Sequence, residues 1–532
     1  MKDLLSKYYT FAVIVIWAII CFAFFQGFYS YHFFYKEQTQ LFLLSSQYLN
    51  TYFSKPAWLA CMAGDFFTQF NYYKFAGAIF LVIFLLILGD VCRRSLGRFL
   101  QKDLAFWTAI IIISIEAIFH FKAGFGLSST IAAIGGFALF FLYSFLKKGW
   151  IKFVTGIITT ILSYWLFGYG CFIFALLACL SDIKYNKCRG GDFLFLVIAI
   201  VFALTMRGHY LLTWQDSMTY PGVGEFSKPN FTIEKIFRLD DEYYFGNYDK
   251  VVALARNEKQ QIPEVAYFYN LVQARRGMLP DSLLYIYQPL DQGLFIQSGP
   301  DNTMIDLYIQ GTMFNLWNEM TFYEHSSTLA NTFSPNNRNV RMIKQMAEAN
   351  LINNDSTAAM KYLRLLQKTL VYKKWADERI PGNQSANVKN YLIEKRKFIN
   401  KNDTLRSSGG DTYTIITRLL KSNSNNVIAL DYMLCSELLR KDISGFKRDY
   451  DTYCQNIGKP RAKALYQEAL LIYFAGSNSS TSELVKYCIP QNMVDKFKEY
   501  TNIYVQSKGD KTMLTERFGH TYWYYFHFVN KK

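Results

Sequence analysis

Seven long apolar runs alternate with short polar segments over the first 212 residues of the chain. Most of these runs approach the roughly 17–25 residues that a helix needs to cross the hydrocarbon of a bilayer. A polar stretch at the amino terminus precedes the first run, and bulky residues continue to its end, as in an uncleaved signal anchor. The runs predict seven membrane-spanning helices, at residues 10–28, 75–91, 104–121, 127–145, 151–167, 169–183 and 193–212.

The stretch from Ile151 to Ile183 admits two interpretations. It is long for one straight crossing and short for two, and a Gly-Tyr-Gly sequence at residues 168–170 divides it in the middle. Because glycine breaks regular helical patterns, we interpret the stretch as a tight hairpin of two short helices. A single crossing is the alternative, and it would place the remainder of the chain on the opposite side of the membrane.

Basic residues between the runs predict the orientation of the chain. With the hairpin, 12 Lys and Arg residues lie on the side of the amino terminus and only four on the other side. Because basic loops stay in the cytoplasm, the amino terminus is predicted to be cytoplasmic and the part after the seventh run extracytoplasmic. The 12 residues are Lys2, Lys7, Arg93, Arg94, Arg98, Lys102, Lys147, Lys148, Lys152, Lys184, Lys187 and Arg189.

The part of the chain after about residue 232 has a different pattern, with amphipathic helices of 10–16 residues joined by short turns. Turns at Gly246, Gly277, Asn354 and Lys441 each separate two such helices. This offset resembles that of tetratricopeptide repeats, whose helix pairs stack into a superhelix. The predicted fold is all-α: a membrane helix bundle at residues 1–214, with an outer loop at 29–71, followed by an α-solenoid at 215–532. A non-repetitive helical domain is the alternative.

The composition of the chain bears on which partners and cofactors are expected. The chain has 532 residues, of which 51% are hydrophobic, and a net charge of +16. Its basic residues form no long run, and those of the second part alternate with acidic ones, so nucleic acid is not an expected partner. The nine cysteines show neither a C-x-x-C pair nor Cys/His spacing suited to zinc. We therefore predict no metal and no cofactor.

Ionisable residues in apolar helices are costly, and they single out a candidate site. Glu116 and His120 lie four positions apart on the third run and hence on one helix face. By the predicted topology they approach the outer membrane surface, as do Arg207 and His209 at the end of the seventh run. Cations there would hold an anionic, lipid-linked substrate, and we predict substrate-binding roles for all four residues. The alternative is that they simply reach water at the helix ends.

Two resemblances follow from particular residues and from their arrangement. Residues 31–42 (YHFFYKEQTQLF), 69–73 (QFNYY) and 521–525 (TYWYY) resemble an uncharacterised family of bacterial polytopic membrane proteins. The layout, in which a long outer loop follows the first crossing and a helical domain follows the last, is similar to that of GT-C-fold glycosyltransferases that use polyprenyl-phosphate sugars. That resemblance implies catalytic roles for Glu37 and Asp65. It also implies that Arg207 contacts the phosphate of the lipid-linked substrate. The paired acidic motif of those enzymes is absent here.

These observations lead to two functional hypotheses. In the first, a multi-pass protein of the bacterial inner membrane presents its external helical domain to protein or glycan partners in the cell envelope. In the second, the chain is a glycosyltransferase that takes a lipid-linked sugar at the outer surface of the membrane. Membrane lipid is an expected partner in both cases.

Overall fold

Every regular element among the described residues is helical. The computed structural model describes residues 2–147, 149–186, 193–296, 304–334, 337–400, 412–454, 462–476 and 481–529. Lys148, Lys187 and Arg189, three of the basic residues used for the orientation, lie outside them. The all-helical prediction is thus confirmed for the described part of the chain.

The described residues before position 245 form twelve α-helices. They are α1 Lys2–Gly27, α2 Tyr31–Gln38, α3 Ser46–Asn50, α4 Trp58–Thr68, α5 Ala76–Leu96, α6 Lys102–Phe119, α7 Leu127–Tyr143, α8 Trp150–Phe167, α9 Gly170–Asn186, α10 Phe193–Tyr210, α11 Trp214–Thr219 and α12 Phe231–Tyr244. Short 3₁₀ helices lie at Thr51–Ser54 and Gln69–Tyr72.

The later helices are mostly 10–16 residues long. They are α13 Tyr248–Asn257, α14 Pro263–Arg275, α15 Leu279–Ser282, α16 Met304–Trp317, α17 Met320–Phe333, α18 Val340–Ile352, α19 Ser356–Leu366, α20 Lys373–Asp377, α21 Ala386–Arg396, α22 Thr412–Ser422, α23 Val427–Leu439, α24 Ile443–Cys454, α25 Ala464–Gly476, α26 Thr481–Lys486, α27 Gln491–Gln506, α28 Lys511–Phe518 and α29 Tyr522–Phe528. Two 3₁₀ helices, Leu283–Tyr285 and Leu290–Gly293, lie between α15 and α16.

Helices occupy all seven places at which the sequence predicts a crossing. Within the part of the chain that the structure describes, four of them are long and apolar enough to span a membrane, namely Tyr8–Gly27 within α1, α5, α8 and α10. Helix α7 and residues 170–181 of α9 are apolar but shorter. Helix α6 has the length of a crossing, but it carries three charged residues. The chain thus has the helices of a membrane protein, while seven crossings and their orientation stay predictions.

The chain folds into two compact units. The first comprises Met1–Phe237 together with two short later segments, Ser334–Arg341 and Arg364–Asp377. The second comprises Arg238–Phe333, Met342–Leu363 and Glu378–Lys532. Loop residues 29–71 of the first unit pack on its two later segments: Leu44 N donates to Lys368 O (2.7 Å) and Val340 N to Gln40 O (3.0 Å).

Glycines allow unusually close helix packing in the first unit. A Cβ atom on Gly136 of α7 would lie 2.4 Å from the carbonyl oxygen of Gly170, the first residue of α9. A Cβ on Gly170 would lie 2.4 Å from the carbonyl oxygen of Ala132. Helix α8 ends at Phe167 and α9 begins at Gly170, so the predicted break in this stretch is present and separates two helices. Small residues at such contacts let helix backbones approach closely, as is common in membrane bundles.

The second unit has its helix turns where the sequence predicts them. Gly246, Gly277, Asn354 and Lys441 have left-handed backbones, with φ of 77°, 69°, 65° and 58°. Each follows the end of a helix, the position at which a left-handed residue satisfies the last carbonyl groups. The helix–turn–helix pattern is therefore confirmed at these positions, and its stacking into a solenoid stays a prediction.

The aromatic carboxyl-terminal segment forms α29 and is buried in the second unit. Tyr522 and Trp523 are each 1% exposed. The Trp523 indole donates to the carbonyl oxygen of Glu468 (3.0 Å), and the Tyr522 backbone N–H donates to the Glu468 carboxylate (2.6 Å). This segment therefore completes the core around α25.

Candidate functional site

Helix α2 positions several ionisable side chains of the first unit. Its sequence, YHFFYKEQ, places His32 and Lys36 one turn apart on the same face, with Glu37 beside them. The Glu234 carboxylate closes the start of the helix, because it accepts hydrogen bonds from the backbone N–H groups of Tyr31 (2.5 Å) and His32 (3.2 Å). An anion at this end of a helix satisfies donors that have no partner within the helix.

His32 is a buried, neutral imidazole. Its ring is 1% exposed and lies 4.1 Å from the ring of Phe33 and 4.6 Å from that of Tyr29. Burial, followed by the nearby charges of Lys36 and His120, holds its pKa well below the ordinary value. Neither ring nitrogen has a hydrogen-bond partner among the described residues, although Nδ1 lies 3.7 Å from the Glu234 carboxylate.

Lys36 also lies in a poorly solvated environment. Its ammonium donates to the carbonyl oxygen of Phe125 (2.9 Å) and lies 6.0 Å from the centre of the Phe33 ring. Burial lowers the pKa of Lys36 to about 7, and the Glu234 carboxylate opposes this effect only in part. A small change in its surroundings would therefore change its charge near neutral pH.

Glu116 and His120 share one hydroxyl group. The Thr130 hydroxyl on α7 donates to Glu116 Oε1 (2.7 Å), and His120 Nε2 lies 2.8 Å from the same hydroxyl oxygen. Because the hydroxyl has one proton and gives it to Glu116, the imidazole Nε2–H donates to Thr130. The predicted pairing on one helix face is present, but it is mediated by a threonine that the sequence does not single out.

Glu37 is enclosed by protein partners. Its carboxylate is 2% exposed and accepts hydrogen bonds from the Gln38 amide (2.5 Å) and from the Tyr372 hydroxyl (2.9 and 3.0 Å). A cavity of about 10 Å³ adjoins it, large enough for about one water molecule. This cavity lies within the first unit and is lined by Glu37, Gln40, Leu41, Phe42, Gln69, Val340, Thr369, Val371 and Tyr372.

Asp65 on α4 belongs to a neighbouring set of hydrogen bonds. The Tyr52 hydroxyl donates to Asp65 Oδ2 (2.7 Å), and the Gln40 amide donates to the Asp65 backbone oxygen (3.1 Å). Burial raises the pKa of Asp65 to about 6, against the opposing effects of the Tyr52 hydrogen bond and the Arg338 charge. A carboxyl group that titrates near neutrality is a suitable proton acceptor, although this one is already bonded to Tyr52.

Arg207 and His209, near the end of α10, lie beside aromatic side chains. The Arg207 guanidinium lies 4.2 Å from the centre of the Trp214 ring, and His209 is exposed beside Tyr210. The six residues proposed from the sequence thus fall into groups. Glu116 and His120 share Thr130, and Glu37 and Asp65 lie in two sets that both involve Gln40. Arg207 and His209 have separate aromatic neighbours, Trp214 and Tyr210.

A polar network in the second unit has no counterpart in the sequence-based site. Glu348 on α18 accepts hydrogen bonds from the hydroxyl groups of Tyr323 on α17 (2.9 Å) and Tyr391 on α21 (2.8 Å). The Lys395 ammonium donates to both oxygens of Asn315 on α16 (2.6 and 3.1 Å). Side chains from α16, α17 and α21 therefore meet at the Glu348 carboxylate of α18, which is half-buried rather than enclosed. No local sequence motif indicates this network, because its residues are spread over 80 positions, from Asn315 to Lys395.

Metal ligands are not grouped in the described ranges, where no three His, Cys, Asp or Glu side chains are placed to hold an ion. Eight cysteines lie in those ranges, and none of them forms a disulfide with another.

Comparison with known proteins places the chain in a family without giving it an activity. No curated protein and no solved structure matches it. The resemblance to an uncharacterised family is confirmed, whereas that to GT-C glycosyltransferases stays a prediction. A family model matches residues 6–529, nearly the whole chain. The chain therefore belongs to a family of unknown function, DUF6057.

Proposed function

We propose that this protein is a bacterial inner-membrane scaffold. Its apolar helices anchor an extracytoplasmic helical-repeat domain, and that domain binds protein or glycan partners in the cell envelope. The observation that carries the proposal is the Glu348 network of the second unit. There, α16, α17 and α21 bring tyrosines, an amide and a lysine to a half-buried carboxylate on α18, and such partly desolvated polar groups can bond strongly to a partner.

The ionisable residues of the first unit support an anchoring role. Glu37 bonds to Gln38 and Tyr372, and Glu116 bonds to Thr130. Buried polar groups that are satisfied by the protein itself stabilise one arrangement of the chain. The cavity beside Glu37 has room for about one water molecule and is therefore far too small for a sugar.

Site-specific photo-crosslinking in intact cells tests the scaffold proposal. A photoreactive amino acid replaces Met278, which is 49% exposed. It lies three residues after Arg275, whose charge interacts with that of Lys395 in the Glu348 network. A second protein carries the photoreactive amino acid at Val505, an exposed position on α27. We expect crosslinked products at position 278 and none at 505. Equal crosslinking at both positions, or none at either, would refute partner binding near the Glu348 network.

Orientation is tested separately by a fusion to the carboxyl terminus. We expect alkaline phosphatase to be active there, because this enzyme folds only outside the cytoplasm where its disulfides form. A fluorescent fusion that works only in the cytoplasm is the matched control. Bright fluorescence together with an inactive phosphatase would place the second unit inside the cell and contradict the proposed topology.

A glycosyltransferase is the second proposal, and one observation favours it. Asp65 has a pKa of about 6, close to the pH at which a general base works best. The test is complementation of a deletion strain with D65N, E37Q, E116Q and R207Q variants that accumulate normally in the membrane. An enzyme of this kind loses its function in these variants, whereas wild-type behaviour of all four would exclude the proposed roles.

A further inference from the structure

Residues 51–58 of the first unit are tied to the ends of two helices that are long and apolar enough to span a membrane, α8 and α10. The Ala57 backbone N–H donates to the carbonyl oxygen of Tyr164, near the end of α8 (3.2 Å). The Lys55 ammonium donates to the carbonyl oxygen of Tyr210, the last residue of α10 (3.0 Å). The segment therefore lies where both of these apolar helices end.

Three aromatic rings from this segment and from α8 contact one another and form a surface, hereafter the aromatic patch. The centre of the Phe53 ring lies 4.9 Å from that of Trp58 and 6.1 Å from that of Trp165. The two tryptophan rings lie 5.5 Å apart. Phe53 is 44% exposed and Trp165 is 36% exposed. Large apolar side chains grouped at a surface mark a site that contacts a membrane or another molecule.

The aromatic patch continues an exposed apolar face of α8. Ile151, Ile158, Leu162 and Trp165 follow one another at spacings of seven, four and three residues, which places them on the same face of the helix. All four side chains are exposed. In a membrane-spanning helix such a face is covered by lipid acyl chains. Continuity with this face therefore favours lipid as the occupant of the aromatic patch.

Lys55 gives the patch a cation beside its aromatic rings. Its bond to Tyr210 uses one of the three ammonium protons, so donors are left for a phosphate oxygen. Among the described residues, no carboxylate forms an ion pair with Lys55. Tryptophan rings and lysine side chains with an apolar stem are the groups that proteins place at the boundary between hydrocarbon and headgroups.

The packing of the rings also favours lipid over a sugar. A sugar stacks on an open ring face and needs polar groups around it. Here the rings of Phe53 and Trp165 are nearly parallel, with an angle of 22° between their planes, and Trp58 packs against both. The patch therefore presents a compact apolar surface rather than one open ring.

We propose that the aromatic patch and Lys55 bind phospholipid at the surface of the bilayer. The three rings pack against the glycerol backbone and the first methylene groups of the acyl chains, and the Lys55 ammonium bonds to the phosphate. This inference rests on the membrane anchoring of the proposed function, and it assigns the part of the first unit that meets the headgroups.

Photo-crosslinking to lipid, with the full chain in nanodiscs, tests the contact. A photoreactive phenylalanine analogue replaces Phe53, and two further proteins carry it at Ile158 within α8 and at Val505 on α27, which are both exposed. The intact mass after irradiation shows whether a phospholipid has been added. We expect lipid adducts at positions 53 and 158 and none at 505. Circular dichroism checks folding, and the exposed Ser54 is the substitute site if the protein altered at position 53 does not fold.

A lipid mixture tests the contact between Lys55 and phosphate. The nanodiscs contain phosphatidylglycerol and diacylglycerol with the same acyl chains in phosphatidylcholine. The ratio of phosphatidylglycerol to diacylglycerol adducts at position 53 is divided by the same ratio at position 158, which is in reach of acyl chains. We expect this quotient to fall at least about threefold in K55Q, because the variant loses the attraction between the ammonium and the phosphate. The matched control K498Q removes an exposed lysine from α27 and should leave the quotient unchanged.

An adduct at position 158 without one at position 53, or equal adducts at 53 and 505, would overturn the inference and leave the membrane anchor intact. The absence of an adduct at 158 would overturn the anchor itself, and the proposed function with it. Equal quotients for wild type and K55Q would overturn the contact with phosphate. A lipid adduct at 53 that soluble oligosaccharide suppresses would overturn the inference by assigning the patch to a glycan.

Discussion

Replacing Asp65 with asparagine should stabilise the protein at neutral pH and not at acidic pH. The Asp65 carboxyl group has a pKa of about 6, compared with an ordinary value of 3.8, chiefly because of burial. The folded state therefore holds the Asp65 proton more tightly than the unfolded state does. As the pH rises from about 4 to about 6, this group removes stability from the wild type, and the loss is complete above the folded pKa.

The magnitude follows from the same two pKa values. Their difference corresponds to at most about 3 kcal/mol, and about half of that is expected because the side chain is partly open to solvent. Asparagine avoids the cost of burying a charge, and its side-chain oxygen can still accept the Tyr52 hydrogen bond, which is 2.7 Å long in the wild type. The D65N variant should therefore melt a few degrees above the wild type at pH 7.5.

The assay is the apparent Tm in detergent, read as the fraction that remains monodisperse after heating, at several pH values between about 4 and 8. The difference between D65N and wild type should grow up to about pH 6 and then stay constant. The control is D103N, which removes an exposed carboxylate from the first turn of α6. A difference for D65N that is flat over this range, or that shrinks as pH rises, would refute the burial argument.

Two further substitutions test the packing and the hydrogen bonds of the first unit. G136A should destabilise it by about 1–3 kcal/mol, because the added methyl group would lie 2.4 Å from the Gly170 carbonyl oxygen. The control G208A should have little effect, because no atom lies within 4 Å of a methyl group added there. Equal melting temperatures of the two variants would contradict this prediction. Y372F should cost about 1–3 kcal/mol, since it removes a hydroxyl donor from the buried Glu37 carboxylate. Its measurement is the Tm against the E37Q/Y372F double variant, which should recover part of the loss.

Much of the helical architecture was predictable because the signals are local. An apolar run of a given length predicts a helix wherever it lies, and helices occur at all seven predicted places. The turns at Gly246 and Asn354 were equally visible, because small polar residues and glycine tolerate left-handed backbones that end helices. Which of the apolar helices cross a membrane depends also on neighbours and lipid, and run length alone leaves it open for α7 and α9.

The candidate site was predictable only where its members are close in the chain. The spacing of Glu116 and His120 places them on one helix face, and both are bonded to Thr130. Glu37 was singled out, but its partner Tyr372 lies 335 residues later, and nothing in the local pattern of either residue indicates the other.

The sequence by itself determined that this protein is helical, where seven of its helices and four of its turns lie, and that its first part is apolar enough for a membrane. The tertiary structure decided which side chains meet: Tyr372 with Glu37, and helices α16, α17 and α21 around Glu348. The physical reason is range. Helix formation and turn geometry depend on neighbouring residues. The pairing of distant polar groups instead depends on how whole helices pack and bury them, which no short segment encodes.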